Sequence, residues 1–130
     1  MKIYVINGPN LNLLGTREPE IYGYETLDGL NLKIKKEFPE FEFIFFQSNH
    51  EGAVIDKLHE ARDSDGVILN AGALTHYSYA VRDAVSAINI PVMEVHISDI
   101  QKREEFRRSA DRVRGIAARF RGGNIRPAIF

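Results

Sequence analysis

The chain contains no cysteine, so disulfides, thiolate nucleophiles and thiolate zinc sites are excluded together. It also lacks an excess of either charge. Its 17 basic and 18 acidic residues leave a net charge of -1, which gives no global attraction for nucleic acid or an anionic membrane. No apolar run approaches membrane-spanning length, and residues 1–7 lack the long apolar stretch and small-residue cleavage site of an export signal. The chain therefore reads as soluble, cytoplasmic, and without a nucleic-acid or membrane partner. A phosphate-cradling loop is missing too, since Gly8-Pro9-Asn10 has neither a dinucleotide fingerprint nor a Walker lysine. His50, His59 and His76 have no recognisable metal-ligand spacing. Lys2, Lys33, Lys35, Lys36, Lys57 and Lys102 read as exposed or peripheral, against a Schiff-base mechanism. No cofactor and no metal are indicated.

What is present is an alternation of two periodicities. Residues 2–6, 41–46, 66–69 and 91–95 are apolar, β-rich runs. Between them Leu27, Leu30, Ile34 and Phe38 recur at helical spacing after a Thr26 cap. Val54, Leu58 and Ala61 follow Ser48 and Glu51 at capping-box spacing. Val81, Ala84, Val85 and Ile88 make a third stripe, and Phe106, Ala110 and Val113 a fourth. Strands that are nearly continuously apolar, each followed by a helix, predict a parallel sheet covered on both faces and joined by right-handed crossovers. The expected fold is α/β, a flavodoxin-like doubly wound parallel sheet. At 130 residues one domain accounts for the whole chain, with no repeat, low-complexity tract or linker.

Ligands of such sheets bind beyond the carboxyl ends of the strands. The polar residues there are Asn7 and Asn10 after the first strand, then Gln47, Ser48 and Asn49 after the second. Asn70, Thr75 and His76 follow the third, and His96 and Ser98 the fourth. The connection over residues 7–25 is long for a compact α/β domain, which marks a functional or a disordered loop; its interleaved Leu11, Leu13, Leu14 and Ile21 argue against disorder.

Glu94 and His96 are two apart on a strand and so share a face, where a carboxylate fixes the tautomer of an imidazole and suits it to general acid catalysis. A structural ion pair is the plainer alternative. Arg17 and Tyr22 share the long loop. A phenol with a pKa near 10 is ionised about one part in a thousand at neutral pH, and a close guanidinium favours the phenolate. Taken singly they read first as a surface arginine and a packing tyrosine. Arg103 and Arg107 stand one helical turn apart, able to meet a hydroxylated or anionic substrate or simply to line a solvated face.

Taken together, these segments resemble type II 3-dehydroquinate dehydratase, also called type II dehydroquinase. The matching motifs are residues 7–19 (NGPNLNLLGTREP), 21–23 (IYG), 47–52 (QSNHEG), 70–76 (NAGALTH), Arg82-Asp83 and 94–98 (EVHIS). The resemblance implies a cofactor-independent lyase of the shikimate pathway or of quinate catabolism. Its reaction dehydrates 3-dehydroquinate to 3-dehydroshikimate by anti elimination through an enolate. Tyr22 is then the base, Arg17 stabilises its phenolate, Asn10 positions a water at the enolate oxygen, and His96 is the general acid oriented by Glu94. Asn70, Ile97 and Ser98 match residues that hold the substrate carboxylate. His76 and Arg107 match contacts to ring hydroxyls, Arg103 a loop-supporting arginine, and Asp83 a residue that reaches a neighbouring subunit's site. The family implies a homododecamer, a tetramer of trimers, with a lid over residues 15–24.

Two stretches depart from the family pattern. Residues 99–103 read DIQKR in place of the more usual NIHAR, preserving Arg103. In the divergent segment of about 110–130, Arg112, Arg114, Arg119, Arg121 and Arg126 interrupt the expected apolar strand and helix. Residues 116–120 read weakly as a fifth strand, and Pro127 opposes a terminal helix. The reading from another class is a noncatalytic binding module that keeps the crevice without turnover.

Overall fold

A computed structural model of the chain describes residues 1–16, 25–96 and the strand at 128–129. Five parallel strands form one sheet: β1 (Lys2–Asn7), β2 (Glu42–Gln47), β3 (Gly66–Asn70), β4 (Val92–His96) and the short β5 (Ala128–Ile129). The order across the sheet is β2-β1-β3-β4-β5. The chain runs outward from β1 to β2 and then returns to the other side of β1 for β3. That reversal creates the crevice where doubly wound sheets take their ligands.

Helix α1 (Leu27–Glu37) links β1 to β2, and α2 (Glu51–Glu60) links β2 to β3. The single turn α3 (Leu74–Tyr77) and α4 (Tyr79–Ala87) link β3 to β4. Two of these helices begin where a hydroxyl caps them. Thr26 Oγ1 accepts the Gly29 N–H at 3.1 Å, and Ser78 Oγ accepts the Val81 N–H at 3.0 Å. The expected box of Ser48 with Glu51 does not form. Ser48 donates its own N–H to Asn7 O at 3.0 Å, prolonging the β1–β2 ladder, and its Oγ accepts from His50 N. The chain leaves the sheet two residues later than the motif implies, and α2 starts with His50 at the cap position.

The core follows from alternation along the strands. Tyr4 and Ile6 of β1 are in register with Ile44 and Phe46 of β2 and with Val67 and Leu69 of β3, so their side chains share one face. Against that face lie Val54, Leu58 and Ala61 from α2 and its following turn, and Val81, Ala84, Val85 and Ile88 from the α4 segment. These are the apolar stripes read from the sequence. Ile6, Leu58 and Leu69 are completely buried. On the edge strand, Phe43 and Phe45 stack on each other, with Lys35 of α1 over the Phe45 ring. No described helix is long and apolar enough to cross a membrane. The fourth helical stripe and the weak strand at 116–120 lie outside the described residues. The fifth described strand follows Pro127 and pairs Val95 with Ala128 and His96 with Ile129.

Candidate active site

The carboxyl ends of β1, β2 and β3 finish level, with Asn7 in register with both Gln47 and Asn70. The loop after β1 lies directly on the loop after β3. Gly8 donates its N–H to Asn70 O at 2.7 Å, and a Cβ on Gly8 would sit 2.3 Å from the Ala71 carbonyl oxygen, which no side chain tolerates. On the other side of this contact Gly72 has φ of 59°, and Asn70 Oδ1 accepts its N–H at 3.2 Å. Asn70 therefore has its side-chain oxygen engaged within its own turn and its backbone oxygen engaged with the first loop.

Asn10 is the one non-glycine with positive φ, 69°, among the described residues. Left-handed backbone costs an ordinary L-residue roughly 1–2 kcal/mol, least for asparagine and aspartate, so something must hold it. The Asn10 N–H donates to Asn49 Oδ1 at 2.9 Å. Gln47 Nε2 in turn donates to that same oxygen at 3.1 Å and to Gly8 O at 3.1 Å. A continuous chain of hydrogen bonds thus ties the end of β2 to the loop after β1.

On β4 the residues Val92, Glu94 and His96 alternate to one face, and the last two meet. Glu94 Oε1 lies 2.6 Å from His96 Nε2, with the residues only 3% and 6% exposed. The carboxylate is an acceptor, so Nε2 is the nitrogen that carries hydrogen in this contact, and Nδ1 is left for exchange with a reacting group. That pairing is the arrangement a general acid needs.

His76 and Thr75 are buried on α3, and the Thr75 Oγ1 has no hydrogen-bond partner among the described residues. Asp83 stands exposed on α4. Of the residues singled out in the sequence, Asn10, Asn70, Glu94 and His96 lie at or just beyond strand ends. Arg17, Tyr22, Ile97, Ser98, Arg103 and Arg107 lie outside the described residues. The sequence reading placed Gln47 and Asn49 at the right strand end but gave them no role. It also assigned no packing function to Gly8 and Gly72, although a glycine just after each of two strand ends, before Pro9 and two residues after Asn70, was a signal of tight backbone approach.

A parallel doubly wound sheet with a buried carboxylate–imidazole pair at the carboxyl end of a strand is the framework of an α/β enzyme. The model of the family described as dehydroquinase class II matches residues 1–122, and the chain belongs to that family. The 3-dehydroquinate dehydratase of Pelodictyon phaeoclathratiforme is 58% identical over 113 residues, which are 85% of this chain and 75% of that protein. The catabolic 3-dehydroquinase of Sclerotinia sclerotiorum is 54% identical over 112 residues, 82% of this chain and 73% of that protein. The crystal structure of type II dehydroquinase from Butyrivibrio crossotus matches with a TM-score of 0.79 and 53% identity, covering 82% of this chain and 77% of that one.

Proposed function

We propose that this chain is a lyase that dehydrates 3-dehydroquinate to 3-dehydroshikimate by anti elimination through an enolate. The observation that carries the reading is the buried 2.6 Å contact of Glu94 with His96 at the carboxyl edge of a family-matched sheet. Tyr22, as a phenolate favoured by Arg17, removes a proton from the carbon beside the ketone. A water oriented by Asn10 stabilises the enolate oxygen, and the enolate then collapses to expel the hydroxyl group. His96 gives that hydroxyl a proton, so it departs as water, while Glu94 keeps the imidazole in the competent tautomer. The substrate carboxylate rests on Asn70 and on the backbone amides of Ile97 and Ser98. His76 and Arg107 contact the ring hydroxyls, and Arg103 supports the lid over residues 15–24.

Residues 1–130 act as one catalytic domain, its divergent segment being 110–130. The protein works in the cytoplasm, where a chain without cysteine meets no redox constraint. It assembles as a dodecamer, a tetramer of trimers, with Asp83 reaching the site of an adjacent copy. Its exposure on α4 supports that role. The same reaction serves biosynthesis and quinate breakdown.

The test is the ultraviolet rise of the conjugated enone when 3-dehydroquinate is added to purified protein with a chelator present and no added cofactor. Turnover is expected. Tyr22→Phe should abolish it while leaving ligand binding nearly intact, because the proton acceptor goes and little apolar surface changes. A folded protein that binds 3-dehydroquinate without any rise would instead be a binding module. Turnover surviving in Tyr22→Phe would remove the base assignment.

A further inference from the structure

We propose that Asn49, braced by Gln47, is a positioning residue that sets the direction of the Asn10 side chain; this rests on the assignment of Asn10 to the enolate-stabilising water. With φ at 69°, the Asn10 Cα–Cβ bond points where neither helical nor extended backbone would send it. The direction of its amide is thus a consequence of a backbone state that needs outside support. That support comes from Asn49 Oδ1, which accepts the Asn10 N–H at 2.9 Å from 39 residues away in sequence.

Asn49 itself is exposed, and an exposed amide does not keep one orientation unaided. Gln47 supplies what is missing. Its Nε2 meets the same Asn49 oxygen and the Gly8 carbonyl, both at 3.1 Å. Gln47 is the last residue of β2 and in register with Asn7, so the brace is anchored in the sheet. With two donors converging on Asn49 Oδ1, oxygen rather than nitrogen must face Asn10. A group that acts on a developing charge only when correctly aimed loses rate in the transition state, not substrate affinity.

Steady-state kinetics of the full chain test this, with urea unfolding run on each variant. Asn49→Ala should lower kcat about tenfold, the worth of one such hydrogen bond, and leave KM within about twofold. Asn49→Asp keeps an acceptor oxygen for both donors and should restore kcat to within about threefold. Gln47→Met, which keeps length and loses the donor, should fall in the same direction by less. Asn10→Gly adopts the positive φ freely but has no amide; it should lose at least as much kcat, and adding Asn49→Ala to it should cost nothing further. An additive loss in that double variant, an unchanged kcat in Asn49→Ala, or no restoration by Asn49→Asp would overturn the proposal. Wild-type kcat in Asn10→Gly would overturn it as well, but by removing the role of Asn10 itself. That case is distinct from one in which Asn10→Gly is slow and Asn49→Ala is not.

Discussion

Glu94 and His96 meet in a place nearly closed to water, and the role proposed for them depends on charge more than on shape. Glu94→Gln separates the two. The amide fills the same volume and its oxygen still accepts the Nε2 hydrogen, but it no longer offsets the charge of a protonated imidazole. A hydrogen bond to a charged group is worth about 1.5–3 kcal/mol, so kcat should fall by roughly 10- to 100-fold with KM little changed. Glu94→Ala should in addition lower the urea midpoint, since it leaves Nε2 buried without its acceptor. A Glu94→Gln enzyme of undiminished kcat would make the pair structural. This pair was legible in the sequence because residues two apart on a strand necessarily share a face. The Asn49 contact was not. It joins residues 39 apart through a backbone state that no spacing rule encodes.

Three hydroxyl residues of similar propensity precede helices, and the structure uses them differently. Ser78 is buried and caps α4 immediately after the turn that carries Thr75 and His76. Thr26 caps α1 at the surface. Ser48 caps nothing, because its N–H still serves the sheet. Ser78→Ala should therefore cost about 1–2 kcal/mol and Thr26→Ala about 0.5–1 kcal/mol. Ser48→Ala should cost less than either, and the ordering is read from urea midpoints with equal m-values. A Ser48→Ala loss as large as that of Ser78→Ala would mean that the capping box exists in solution. The strand positions and the apolar stripes of α2 and α4 were readable from periodicity, since burial on one face is what periodicity records. The stripe of α1 is not buried: none of its residues is closed to solvent, and Phe38 is exposed. The turn Leu74–Tyr77 was not readable, being too short to show a period.

A whole-molecule consequence follows from Asp83, which is exposed on α4. If its carboxylate completes a site on an adjacent copy, no single chain holds a whole active site, and two inactive variants can repair each other. Asp83→Ala leaves its own Tyr22 intact but deprives its neighbour; Tyr22→Phe spoils its own site but still offers Asp83. Each homogeneous assembly should be nearly inactive. In equal mixtures reassembled at random, a site works when an Asp83→Ala copy sits beside a Tyr22→Phe copy in the correct order. In a closed ring of like interfaces that holds for about a quarter of sites, so about a quarter of wild-type turnover should return. The assembly should have about twelve times the 14.8 kDa chain mass by light scattering. Full assembly without recovered turnover would place Asp83 outside the chemistry. A monomeric protein that turns over, with Asp83→Ala equally active, would show that one chain suffices and would remove the assembly reading.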